Sequence, residues 1–263
     1  MKILFAILAL ALTAPATFAR PYGNAVARSV GRAMKRPPAQ AAAVKKGGDT
    51  YRLGTANVVI PSPAGFEEAT SQLERVKAVL EATESPLNDL LASHMPSETI
   101  ARMKRGEAVT PEFYTKVSVL KQMRAANISP ADFASLVSAF RSSFGQVLDP
   151  EGPQMKSILK NVENGLNGLT DEKTTVGLSQ PVNLGEFENQ PNAFGMLILM
   201  TMKFQTGDRQ VEAPLVCAAS FVRVKQRVLF VYTYRRYKSA EDREAVRRFT
   251  KQWLGQILAA NRV

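Results

Sequence analysis

In 263 residues the chain has one cysteine, one histidine and one tryptophan. A lone thiol, Cys217, excludes an intramolecular disulfide, so a packed core has to hold the fold. A lone imidazole, His94, excludes a metal site built on several histidines, and no Cys, His, Asp and Glu recur at ligand spacing. A Gly-x-Ser-x-Gly elbow, a phosphate loop and a dinucleotide fingerprint are all missing, so no cofactor and no catalytic residue is expected. After residue 19 no apolar run approaches transmembrane length. The most apolar stretch, Gly195 to Met202, reads as a buried strand. Between residues 20 and 46 there is not one acid.

What is present begins with the first nineteen residues. Lys2 is followed by an apolar run from Ile3 to Leu12, too short for a stable membrane anchor, and then by the small residues of Thr17-Phe18-Ala19. This is the pattern of a secretory signal peptide with the mature chain starting at Arg20, or, as second choice, cut after Ala16. The expected location is therefore exported, either periplasmic or extracellular. No cysteine stands directly after the cleavage site to carry a lipid.

The charge is unevenly distributed. Residues 20–46 hold Arg20, Arg28, Arg32, Lys35, Arg36, Lys45 and Lys46. Removing these seven and Lys2 from the net charge of +11 leaves +3 for the rest. The basic character thus belongs to a tail, and the pI argues for no specific nucleic-acid fold. Pro37-Pro38, Gly47-Gly48 and scarce large apolar residues make 20–56 a flexible basic linker. Its expected partner is an anionic envelope surface or lipid headgroups, met by residues 20–46; a plain solubilising linker is the alternative.

From 57 to 263 the pattern predicts a single α+β domain: a mixed, mainly antiparallel sheet flanked by helices, with a C-terminal strand meander followed by a long helix. Val58-Val59-Ile60 opens it as a strand. Ser71 and Glu74 make a capping-box pattern before a helix with Leu73, Val76 and Leu80 on one face. A short strand is expected over 87–92, a helix from Ser97 to Gly106, and a half-buried strand over 113–119. Ser129, Pro130 and Asp132 start a helix with the stripe Phe133, Leu136, Val137, Phe140, Phe144. A second helix carries Met155, Ile158, Leu159, Val162, Leu166 and Leu169. The two are expected to form an αα-hairpin on the sheet. Strands then follow over 175–178, 196–204, 215–224 and 228–234, joined by Gly207-Asp208 and Lys225-Gln226-Arg227. Val228 to Val231 is apolar on both faces and is expected at the sheet centre. Ser239 and Asp242 cap a last helix with Val246, Phe249, Trp253 and Ile257 buried.

The segment Val58-Val59-Ile60-Pro61-Ser62-Pro63-Ala64-Gly65-Phe66 and the terminal meander with its Trp253 helix resemble PsbP-like and DcrB-like exported proteins. The resemblance implies a central antiparallel sheet sandwiched by helices and an accessory role rather than catalysis. The helical middle, Ser129 to Leu169, departs from that pattern, and no functional residue carries over.

Five sets of residues are candidates for chemistry. His94 and Cys217 could form a nucleophilic pair, but each reads better as a core or strand residue. Met196, Met200 and Met202 share a strand face and could offer thioethers to copper; filling a core face is the better reading. Glu186 and Glu188 point the same way if extended, as a carboxylate pair for acid–base work would. The charged strand ends carry Arg223, Lys225 and Arg227 at one end and Arg235, Arg236 and Lys238 at the other, about eight residues or ~26 Å away. Arg235, Arg236 and Tyr237, beside the last helix N-terminus, are the candidate anion- or ligand-binding residues. The function expected is that of an exported, non-catalytic binding or accessory protein. The alternatives are an envelope hydrolase using a carboxylate pair, or a surface-binding structural protein acting through its basic tail.

Overall fold

The computed structural model describes residues 48–169 and 173–262. The expected signal peptide and the basic residues 20–46, with their expected contact to anionic surfaces, lie outside these residues. Ten strands and five helices run in the order β1 (Asp49–Leu53), β2 (Ala56–Ile60), β3 (Phe66–Glu68), α1 (Glu74–Thr83), β4 (Asn88–Pro96), α2 (Ser97–Lys104), β5 (Phe113–Leu120), α3 (Pro130–Val147), α4 (Pro153–Asn167), β6 (Thr174–Leu178), β7 (Val182–Gln190), β8 (Ala193–Thr206), β9 (Arg209–Val224), β10 (Arg227–Arg236) and α5 (Ala240–Ala260). Order therefore begins earlier than residue 57. β1 pairs antiparallel with β2 to make a separate hairpin, so Asp49–Leu53, expected as linker, is a strand. The backbone hydrogen bonds of β2 recruit it; its own apolar content would not.

The main sheet has the order β3-β4-β5-β10-β9-β8-β6, and β7 also pairs with β8, along the Val182–Gln190 stretch. Every pairing among the described residues is antiparallel. β10 is central, as its two-sided apolar run predicts. On one face Val228, Phe230, Tyr232 and Tyr234 enter the larger core with residues of α1, α3 and α4. On the other, Leu229 and Val231 meet Trp253, Leu254 and Ile257 of α5 and the β1–β2 hairpin. Trp253 Nε1 donates to Pro61 O at 2.7 Å, and Asn261 clasps Val59 through both its side-chain oxygen and nitrogen, so α5 is pinned to β2 at its far end.

Two local expectations change. α3 starts as predicted: Ser129 Oγ accepts from Asp132 N at 3.1 Å and Asp132 Oδ2 accepts from Ser129 N at 2.9 Å. α1 does not use Ser71. Its N-cap is Leu73, because the buried Glu68 carboxylate takes the Ser71 amide at 2.7 Å and the Thr70 amide at 3.0 Å. The αα-hairpin is also rearranged. The close helix neighbour of α4 is α1: a Cβ on Gly165 would sit 1.9 Å from the carbonyl oxygen of Ala82, so only glycine allows this crossing. The driving surface is the Met155, Val162, Leu166 stripe, which shares one core with Val76 and Leu80 of α1; Leu169, expected as its last member, lies past the helix end and is exposed.

Candidate functional site

The end of β10 meets α2, the segment before β5 and the start of α5, and together they enclose a cleft of about 520 Å³. That size suits a small ligand, but the walls are charged rather than apolar. Arg235 and Arg236 enter it from β10, Arg102 and Glu98 from α2, Glu112 from the segment before β5, and Lys238 and Asp242 from the α5 entry. Sequence distance hid this gathering. α2 lies over a hundred residues from β10, and β5 brings its leading segment to β10 only by pairing Phe113 with Arg235.

Most of these charges are already matched. Arg235 Nε donates to Asp242 Oδ1 at 2.6 Å, and its guanidinium lies 5.1 Å from the centre of the Phe113 ring. Lys238 Nζ meets Glu112 Oε2 at 2.7 Å, and Arg102 Nε meets Glu107 Oε2 at 2.7 Å. Burial opposes ionisation of Asp242, but hydrogen bonds from Arg235 and from the Lys238 and Ser239 amides outweigh it and hold the carboxyl below its ordinary range. That carboxylate also satisfies the amides around the α5 N-terminus, which therefore has less to offer a second anion. Arg236 differs. Its backbone amide donates to Glu112 O at 2.8 Å, while its guanidinium, half-buried on the cleft, has no acid against it among the described residues. Tyr237, the third expected member, does not join. Its amide donates to Pro214 O at 2.9 Å and its ring packs with the cluster of Leu197, Val216, Ala218 and Val246.

The structure separates both candidate catalytic pairs. Cys217 lies in the larger core, where burial pushes its thiol well above the ordinary range despite Tyr234 and Lys116 nearby. His94 sits on the opposite face with its ring 5.3 Å from that of Trp253. Glu186 and Glu188 do not point the same way, because the β7–β8 register shifts between them. Glu186 is held by Arg141 of α3 through two contacts of 2.6 and 2.7 Å, while Glu188 faces Lys251 of α5 at 3.8 Å. A bulge places consecutive alternate residues on opposite faces, which alternation alone could not foresee. Met196, Met200 and Met202 are buried in the larger core beside Ile198, as a core face requires.

His94 carries a pH prediction. Its Nδ1 lies 3.2 Å from Thr115 Oγ1, and burial pushes the imidazole down to about 4, with Glu68 partly opposing. The folded state holds it neutral, while the unfolded chain protonates near 6.5. Its stability contribution is therefore complete above about pH 6.5 and is lost as pH falls toward 4. The loss is about 3 kcal/mol at most. Urea unfolding across that interval should steepen with acidification, and His94→Gln should flatten the curve above the carboxylate range. An identical slope in both proteins would assign the acid loss elsewhere.

No family model and no curated protein matches the chain. Two solved structures are similar in part. A mutant of protein Mog1 aligns at 12% identity and TM-score 0.31, covering 81% of this chain and 94% of that one. The Saccharomyces cerevisiae Ran-binding protein Mog1p aligns at 12% identity and TM-score 0.30, with the same coverage.

Proposed function

We propose that the protein is an exported, non-catalytic binding protein whose cleft holds a small anion, a carboxylate or phosphate group, on Arg236. The observation that carries this reading is the guanidinium of Arg236, which alone among the cations lining the cleft has no acid within ion-pair distance in the described residues, Glu98 of the same lining included. A half-buried guanidinium without an acid offers a forked set of donors to a planar or tetrahedral oxyanion. Arg235, fixed by Asp242, forms the wall beside it. The divergent directions of Cys217 and His94, and of Glu186 and Glu188, favour binding over hydrolysis. In the same proposal residues 1–19 are removed on export to the periplasm or exterior, and residues 20–46 add a salt-sensitive contact with anionic surfaces.

Calorimetric titration with inorganic phosphate and with citrate tests the cleft. The wild-type chain should bind at least one of them. Arg236→Gln should weaken that binding by about ten- to a hundredfold, the range for a hydrogen bond to a charged group. Glu112→Gln should tighten it several-fold, because Lys238 is then released toward the anion. No heat from either anion, or equal binding by Arg236→Gln, would overturn the reading.

A further inference from the structure

The opposite end of the sheet carries a second feature, independent of the cleft. Four turns meet there and are stitched together by hydrogen bonds. Ile128 N donates to Gln226 O at 2.9 Å, joining the segment before α3 to the β9–β10 turn. Arg124 Nη2 donates to Arg52 O at 3.2 Å, and Lys225 Nζ to Asn57 O at 2.7 Å, joining both to the β1–β2 hairpin. Lys121 N donates to Leu87 O at 2.9 Å and Lys121 Nζ to Pro86 O at 2.7 Å, joining the turn before β4.

Residues 52–57, 85–89, 121–129 and 223–227 together contain Arg52, Lys121, Arg124, Arg223, Lys225 and Arg227, against Asp89 alone. Asp89 is taken by Arg124 at 2.6 Å, and Asp132, one turn into α3, by Ser129. The remaining cations bind backbone carbonyls, which position them without cancelling their charge. These turns thus carry six cations against one acid, whereas the cleft at the other end is lined by Arg102, Arg235, Arg236 and Lys238 against Glu98, Glu112 and Asp242. At the turn before β4 Leu87 is 51% exposed, a large apolar side chain beside Lys121, whose amide donates to its carbonyl oxygen.

We infer that this end is a docking surface for an anionic bilayer, with Arg52, Lys121 and Lys225 on the headgroups and Leu87 entering the headgroup–acyl boundary. Charge complementarity selects an anionic partner, and the exposed leucine beside Lys121 selects a lipid surface over a polyanion, which has no apolar layer to receive it. No aromatic ring stands among the four turns to stack on a base.

Co-sedimentation with phosphatidylcholine vesicles, with and without phosphatidylglycerol, tests this. The chain from Arg20 onward serves, so that the apolar leader cannot itself insert. Three variants are compared with it: Arg52→Gln with Lys121→Gln, Leu87→Ser, and a chain with the seven cations of 20–46 changed to Gln. Binding should require phosphatidylglycerol. Each neutralised charge of the paired variant should weaken it about fivefold. Leu87→Ser should weaken vesicle binding while leaving retention on heparin unchanged. Near-ultraviolet circular dichroism establishes that each variant is folded. If the paired variant and Leu87→Ser sediment like the parent while the tail variant is lost, the tail alone makes the contact and this inference fails. If all variants bind neutral vesicles equally, it fails as well.

Discussion

Replacing Lys116 by methionine is expected to lower the unfolding free energy by about 3–5 kcal/mol, the usual penalty for stranding one member of a buried ion pair. Lys116 lies on β5 at 1% exposure, and its Nζ is 2.9 Å from Glu84 Oε2 at the C-terminal end of α1. That contact falls outside hydrogen-bond geometry, so Oε2 depends on the lysine charge alone. Oε1 is better served, accepting from Asn88 Nδ2 at 2.9 Å and from Ser85 N at 3.1 Å. The ammonium also lies 5.6 Å from the Tyr232 ring centre. Without the lysine, Glu84 would remain buried and charged. Joint replacement, Lys116→Met with Glu84→Leu, should recover most of the loss, because neither charge then has to leave water. Urea midpoints at constant m-value read all three proteins. A single-variant loss below about 1 kcal/mol would mean that the pair is effectively solvated and stabilises nothing.

Arg227→Met is the second large effect, expected at about 3 kcal/mol and localised. Arg227 is a buried cation with no acid partner in the described residues, held by oxygens of two separate segments. Nε donates to Leu53 O at 2.9 Å, and Nη1 reaches Ala126 O at 3.0 Å and Asn127 Oδ1 at 2.5 Å. Nη2 extends toward Thr55 Oγ1 at 3.4 Å. Each acceptor left without a partner costs about 1–3 kcal/mol, less where water can reach it. The arginine also follows a two-residue turn in which Lys225 and Gln226 have φ of 45° and 61°, a strained conformation for residues with side chains. Losing the clamp should raise amide exchange first in the β1–β2 hairpin and in residues 121–129, ahead of the sheet centre. Arg227→Lys should restore only part of the protection, since one ammonium cannot span acceptors spread around a planar fork. Uniform exchange across the sheet in the methionine variant would show that the clamp has no local role.

Much of the fold was legible along the chain because it rests on local rules. Ser129, Pro130 and Asp132 start α3 through contacts within four residues, and the apolar stripes of α3, α4 and α5 name their own buried faces. Val228 to Val231 announced a central strand because both faces of β10 had to be apolar. β7 escaped because its polar, half-exposed residues gain order from pairing with β8, not from their own pattern. β1 escaped for the same reason.

The site followed the opposite logic. Sequence placed Arg235 and Arg236 together at the end of a strand and suggested an anion. It could not separate them from Tyr237, which the chain turns toward another core. Nor could it tell that Asp242 would neutralise one arginine and leave the other. It paired Glu186 with Glu188, and a one-residue shift in register divided them between α3 and α5. Charges act across space within a few ångströms, and partners such as Glu84 and Lys116, or Arg227 and Leu53, are brought that close only by the sheet. Periodicity determined the buried faces of α3, α5 and β10, where apolar residues recur at the spacing of the element; the strands β1 and β7, and which buried or cleft charges would find a partner, were decided by strand register and helix placement.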